Sequence, residues 1–90
     1  MGTALVKIKI MPTSPEVDLD VIREVAKDIV GKNKGTGTYF EEQPIAFGLK
    51  AVIVGFAIDE NDELEPIEKA LREMEDVSSA EVSDMRRAFG

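Results

Sequence analysis

"LKAVIVGFAI", residues 49–58, carries apolar side chains at consecutive positions and therefore on both faces of an extended segment. A strand with two apolar faces belongs in the middle of a sheet. "TALVKIKIM", residues 3–11, alternates instead, with Ala4, Val6, Ile8 and Ile10 pointing one way and Lys7 and Lys9 the other. That is a strand with one buried face. "TYFEEQPIAFG", residues 38–48, is a polar, short or irregular strand in front of the central one, and "VSSAEVSDMRRAFG", residues 77–90, is weakly alternating and polar, as suits a sheet edge.

Two helical patterns separate these strands. After the turn residues and acids of "PTSPEVD", with Asp18 as the expected N-cap, Leu19, Ile22, Val25, Ala26, Ile29 and Val30 recur at helical spacing, and Gly31 stands where a left-handed C-terminal cap is expected. After the turn "DENDE", Leu64, Ile67, Ala70, Leu71 and Met74 mark a second helix, with Pro66 tolerated in its first turn. The order strand, helix, strand, strand, helix, strand is the split βαβ arrangement of a ferredoxin-like α+β sandwich. It predicts a four-stranded antiparallel sheet with strands one and three central and both helices on one face. Lys7 and Lys9 lie on the open face.

The 90 residues fit one domain, residues 1–90, that buries about 60 to 65% of its unfolded surface. Eleven Lys and Arg against 18 Asp and Glu give a net charge of -7, which opposes attraction to nucleic-acid backbones and anionic membranes and favours a basic partner surface. With no Cys and no His there is no disulfide, thiolate, imidazole base or ordinary zinc site. Neither a membrane span nor a signal-peptide layout is present in the sequence, and a cytoplasmic location is expected.

Four stretches invite a functional reading. "GKNKGTGT", residues 31–38, is rich in Gly and Lys, but its spacing is not that of a phosphate-binding loop and a helix precedes it, so it reads as a loop. Asp59, Asp62, Glu63 and Glu65 fail the calcium-loop pattern, which needs Gly and Glu where Leu64 and Ala70 stand; they read as a solvated turn at a helix N-terminus, and no metal or cofactor is expected. "GFA", residues 55–57, faintly matches an RNA-binding strand, but Val54 and Ile58 occupy the positions of the basic residue and the second stacking aromatic. Arg86 and Arg87 close an acidic chain with two adjacent guanidiniums that must point to opposite faces of a strand. They are either an exposed terminus paired with Asp84 or Glu81, or a functional pair.

The segment before the central strand is ambiguous in its own way. Pro44 fixes φ and Gly48 permits a φ that other residues avoid, so Ile45 and Phe47 are held in a rigid connection. They are either core staples or a preformed apolar ridge at a sheet end, of the kind that anchors a protein interface. Physical reading of the residues leaves both open.

"PIAFGLKA" at residues 44–51, the strand leading into an acidic second helix, and "VSSAEVSDMRR" at residues 77–87 resemble the guanine-nucleotide exchange domain of the translation elongation factor 1-beta family, especially its short archaeal form. The likeness in element order extends over nearly the whole chain. It implies a ferredoxin-like exchange factor that accelerates GDP release from the elongation factor 1-alpha GTPase, so that GTP rebinds and aminoacyl-tRNA delivery continues, with no reaction catalysed by the chain itself. In eukaryotic members a basic side chain near the C-terminus reaches the magnesium and phosphate region of the GTPase. Aligned through Met85 that position falls on Arg87, an arginine where the eukaryotic residue is lysine, with Arg86 as the second candidate. The resemblance also implies that Pro44, Ile45, Phe47 and Gly48 lie near the partner contact, and a monomer suffices for this role. The rival reading is a small-molecule-sensing ferredoxin-like domain, of the kind that dimerises and binds ligands between subunits. A phosphatase-like hydrolase of the same fold needs an arginine and an anion cradle after the first strand, and "MPTSPEV" supplies no arginine or glycine.

Overall fold

A computed structural model describes residues 2–88. The elements follow the expected order: β1 (Thr3–Pro12), α1 (Leu19–Lys32), β2 (Thr36–Pro44), β3 (Lys50–Asp59), α2 (Glu65–Arg72) and β4 (Val77–Ala88). They build one sheet in the order β2-β3-β1-β4, with β1 antiparallel to β3 and β4, and β2 antiparallel to β3. The two strands with the strongest apolar character are central and the two polar ones are edges.

Side-chain alternation explains which face the helices cover. Val6, Ile8 and Ile10 of β1 and Val52, Val54, Phe56 and Ile58 of β3 are buried together with Ile22, Ala26 and Val30 of α1 and Ile67 and Leu71 of α2. The helix residues recur every four positions and so form one stripe on each helix. Each large side chain taken out of water contributes about 1.5–3 kcal/mol, and this single layer is the core. Phe56 belongs to it, and so has no place on a stacking platform.

Local signals set the ends of the elements. The Asp18 carboxylate accepts from the Asp20 N–H at 2.9 Å, capping α1 as expected. The other end departs from expectation, because α1 runs past Gly31 to Lys32 and the positive φ falls on Lys34, at 72°. The Asn33 side chain donates to the Ile29 carbonyl at 2.8 Å, and the Lys34 N–H donates to the Gly31 carbonyl at 3.3 Å, so the helix closes without a left-handed residue at Gly31. The loop expected over residues 31–38 is thereby shortened to a turn, because β2 starts at Thr36 and bulges between Thr36 and Tyr39, where Gly37 has φ 63°. Arg23 ties α1 to β2 through Glu42 at 2.6 Å and also contacts Asp20; the hydrogen bond to Glu42, then that to Asp20, raises its pKa above the ordinary arginine value.

Strand β4 carries two register shifts against β1. Lys7 pairs with Asp84 and Ile8 with Val82, so Ser83 is an additional residue; Met11 pairs with Ser79 and Pro12 with Val77, so Ser78 is another. Both serines turn their hydroxyls to β1, Ser83 donating to the Lys7 carbonyl at 3.3 Å and Ser78 to the Met11 carbonyl at 3.3 Å.

No helix among the described residues is long and apolar enough to cross a membrane. Packing beneath α1 demands a glycine at position 35. A Cβ on Gly35 would collide with Val30 Cγ1 and come within 3.0 Å of the Val30 carbonyl and 3.3 Å of Phe56. Gly35→Ala should therefore destabilise the fold by about 1–3 kcal/mol. In urea titration the midpoint should fall with the slope unchanged.

Candidate functional site

The segment "QPIAFGLK" folds as the tip of the β2–β3 hairpin. Pro44 pairs with Lys50 as the last residue of β2, an edge position where its missing N–H costs no sheet bond. The Leu49 N–H then donates to the Ala46 carbonyl at 2.9 Å and the Ile45 N–H to the Leu49 carbonyl at 2.8 Å. Phe47 and Gly48, between them, have φ of 54° and 81°. Positive φ at both central residues is what a right-twisted hairpin requires of a tight turn. Gly48 meets that requirement freely, whereas for phenylalanine it is an outlier that costs on the order of 1–2 kcal/mol.

The side chain gains no burial in exchange. Phe47 is 96% exposed and Ile45 39% exposed, which overturns the reading of these two residues as core staples. An aromatic ring in water on a strained backbone has no structural rationale at this position, and such outliers point to function. The turn leans on the β1–α1 loop, since a Cβ on Gly48 would lie 3.7 Å from Pro15. Lys50, Gly48, Pro15 and Ser14 line a shallow hollow of about 280 Å³ beside it.

Arg86 and Arg87 stand at the opposite end of the sheet. Arg86 pairs with Leu5 and Arg87 with Ala4 on β1, so they face opposite ways. Arg86 lies on the open face, where its Nε donates to Asp84 at 3.0 Å, one of the two partners expected from sequence. It borders a groove of about 470 Å³ that Leu5, Tyr39 and Ala57 also line. Tyr39 packs over Gly55 in that groove, where a Cβ would collide with the ring. Arg87 takes a partner that sequence spacing did not suggest. Its Nε lies 2.9 Å from Glu60 Oε2, in the turn after β3, while the arginine side chain remains 70% exposed.

The candidate residues therefore form two groups. Pro44, Ile45, Phe47 and Gly48 come together at the hairpin tip, and Arg86 and Arg87 at the end of β4, with the ten residues of β3 between them. At the usual rise per residue that separation is on the order of 30 Å, within a molecule 42 Å along its longest axis. The acids of the β3–α2 turn have local roles: Asp59 accepts from the Asn61 N–H at 2.8 Å and Asp62 meets Lys34 at 3.7 Å.

A ferredoxin-like α+β sandwich with its exposed aromatic and its exposed arginines at opposite ends of one sheet is the class that this geometry defines. Residues 5–88 match the EF-1 guanine nucleotide exchange domain, and the chain belongs to that family, which has the nucleotide-exchange role of translation elongation. It is 40% identical over 86 residues to elongation factor 1-beta of Methanococcus maripaludis strain C6, covering 94% of this chain and 97% of the relative. It is 39% identical over 89 residues to elongation factor 1-beta of Methanocaldococcus jannaschii, covering 98% and 100%. Elongation factor 1-beta of Methanosarcina barkeri is 39% identical over 88 residues, covering 97% and 99%.

The strain at the hairpin tip is directly measurable. Phe47→Gly should raise stability by about 1 kcal/mol, because it relieves the positive φ and forfeits almost no burial. Phe47→Ala, which keeps the strain, should leave the unfolding free energy from urea titration within about 0.5 kcal/mol of the parent.

Proposed function

We propose that this chain promotes GDP release from elongation factor 1-alpha by docking its β2–β3 hairpin tip on the GTPase and bringing Arg87 to the region that holds magnesium and phosphate. The observation that carries the reading is Arg87 itself, a 70% exposed guanidinium at the end of an edge strand and inside the span that matches the exchange-domain family. The chain turns over no substrate in this role.

The physical basis is linkage. Nucleotide and magnesium hold the switch segments of a GTPase in one state, and a protein that prefers the nucleotide-free state weakens nucleotide binding by the same factor. A fixed positive charge beside the metal repels Mg²⁺ and competes for its carboxylate and phosphate ligands. Arginine suits competition for such ligands, because its planar fork forms paired hydrogen bonds with carboxylate or phosphate. Arg86, already engaged with Asp84 on the open face, is the second contributor.

Phe47 supplies the anchor at the far end. A rigid aromatic inserted into a partner pocket is the usual source of interface energy, and a turn already fixed by Pro44 and Gly48 loses little entropy on docking. Because the two groups are on the order of 30 Å apart, the GTPase surface in contact must run the length of the sheet. One copy of the chain serves one GTPase, and the acidic surface, with net charge -7, steers the approach to basic patches.

Release of a fluorescent GDP analogue from elongation factor 1-alpha of a related archaeon tests the reading. The chain should accelerate release saturably, and Arg87→Ala should slow the saturated rate about tenfold or more with the fold intact. Phe47→Ala should instead raise the half-saturating concentration by about tenfold. Absence of acceleration by the parent chain would remove the proposal. Added salt should slow association, the mark of steering by charge.

A further inference from the structure

Glu60 and Arg87 lie on elements that are not neighbours in the sheet. Glu60 follows the end of β3, Arg87 is near the end of β4, and β1 runs between them. Across two strand spacings the backbones stand about 10 Å apart, so an ion pair between them has to pass over the start of β1.

The residue at that crossing is Gly2. The Glu60 N–H donates to the Gly2 carbonyl at 3.0 Å, which fixes the turn. The Glu60 side chain then lies over Gly2, where a Cβ would come within 2.7 Å of Glu60 Cδ and 2.8 Å of both carboxylate oxygens. The bare glycine is the gap through which the carboxylate reaches Arg87. Glu60 is the more covered partner, 30% exposed against 70% for Arg87. The carboxylate is seated at Nε, on the side of the guanidinium, and a carboxylate there leaves the end of the fork, with donors on both Nη atoms, for a second anion.

We propose that Glu60, crossing over Gly2, is a positioning residue that holds Arg87 with its Nη edge presented to an anion of the partner, the bare glycine at position 2 letting the carboxylate lie in this place. The proposal rests on the exchange reading of Arg87 for its functional consequence and on the Glu60–Gly2–Arg87 geometry alone for its structural one. An exposed ion pair contributes little to folding, so its loss leaves the domain intact. What is lost is order in a long side chain that otherwise has to be immobilised on docking.

The test uses the full chain with Glu60→Gln, Gly2→Ala and Arg87→Ala, each also combined with Arg87→Ala where distinct, and urea midpoints to check folding. Gly2→Ala keeps every charge and only displaces the carboxylate. In the free protein, the Arg87 Nε–H NMR signal should shift and exchange faster with solvent in both Glu60→Gln and Gly2→Ala. In the GDP-release assay both should lower the saturated rate about threefold to tenfold with the half-saturating concentration changed less than about twofold. Neither should slow release further in the Arg87→Ala background. An unchanged Arg87 signal overturns the proposal, as does a faster exchange rate in Glu60→Gln, which would make the carboxylate a competitor. An undiminished rate loss in the Arg87→Ala background also overturns it. If the parent chain itself accelerates nothing, the exchange reading fails while the Arg87 signal still decides the positioning.

Discussion

The pairing of β1 with β3 on one side and β4 on the other is the constraint on which the rest of this domain depends. Its inward residues Val6, Ile8 and Ile10 are held beneath both helices. A slip of one residue against either neighbour would turn an apolar face to water and lysines to the core. That cost is large beside the stability of so small a domain, and it fixes the strand ends as firmly as the core. The start of β1 brings the β3–α2 turn within reach of the end of β4, and the β1–α1 loop comes to lie against the β2–β3 hairpin tip.

The sequence made the architecture legible because period-two and helical patterns are strong in "TALVKIKIM", "LKAVIVGFAI" and the stretch from Leu19 to Val30. Central and edge strands were separable for the same reason, since two-faced apolar character and polar alternation correspond to different neighbours. Boundaries were less visible. Gly31 looks like a helix stop, yet Asn33 can close the helix through its side chain, and the left-handed residue falls later, on Lys34. The candidate residues could be named from a motif, but exposure could not. Pro44 and Gly48 signal a rigid turn, and a rigid turn is equally able to bury Phe47 or to display it. The partner of Arg87 was illegible, because Glu60 is distant in sequence and an acidic turn offers many carboxylates with nothing in their spacing to single one out. The signal that could have found it is Gly2, and only once β1 is known to run between the other two.

The two ends of the sheet are prepared by different physics. At the hairpin tip, backbone geometry holds an apolar side chain away from the core, at a cost in local strain that the paired strands β2 and β3 sustain. At the other end, the backbone is ordinary extended strand, and a long charged side chain is held by a carboxylate that crosses its neighbour. One end is rigid because its turn allows few conformations, and the other because one charge meets another. The first is insensitive to ionic strength, and the second is screened by it.

The additional residue Ser83 gives β4 a phase as well as a sequence. Side chains alternate faces along a strand, so inserting one residue into the pairing exchanges inside and outside for everything that follows. Were Ser83 paired with Lys7 in regular register instead of standing as the extra residue, Arg86 would pair with Ala4 and Arg87 with Thr3, and the two arginines would trade faces. Arg86 would then stand on the Glu60 side, and Arg87 would look out over the open sheet beside Tyr39. Which of two identical neighbouring side chains faces Glu60 is thus decided several residues upstream, by a serine whose hydroxyl is bonded to the carbonyl of Lys7.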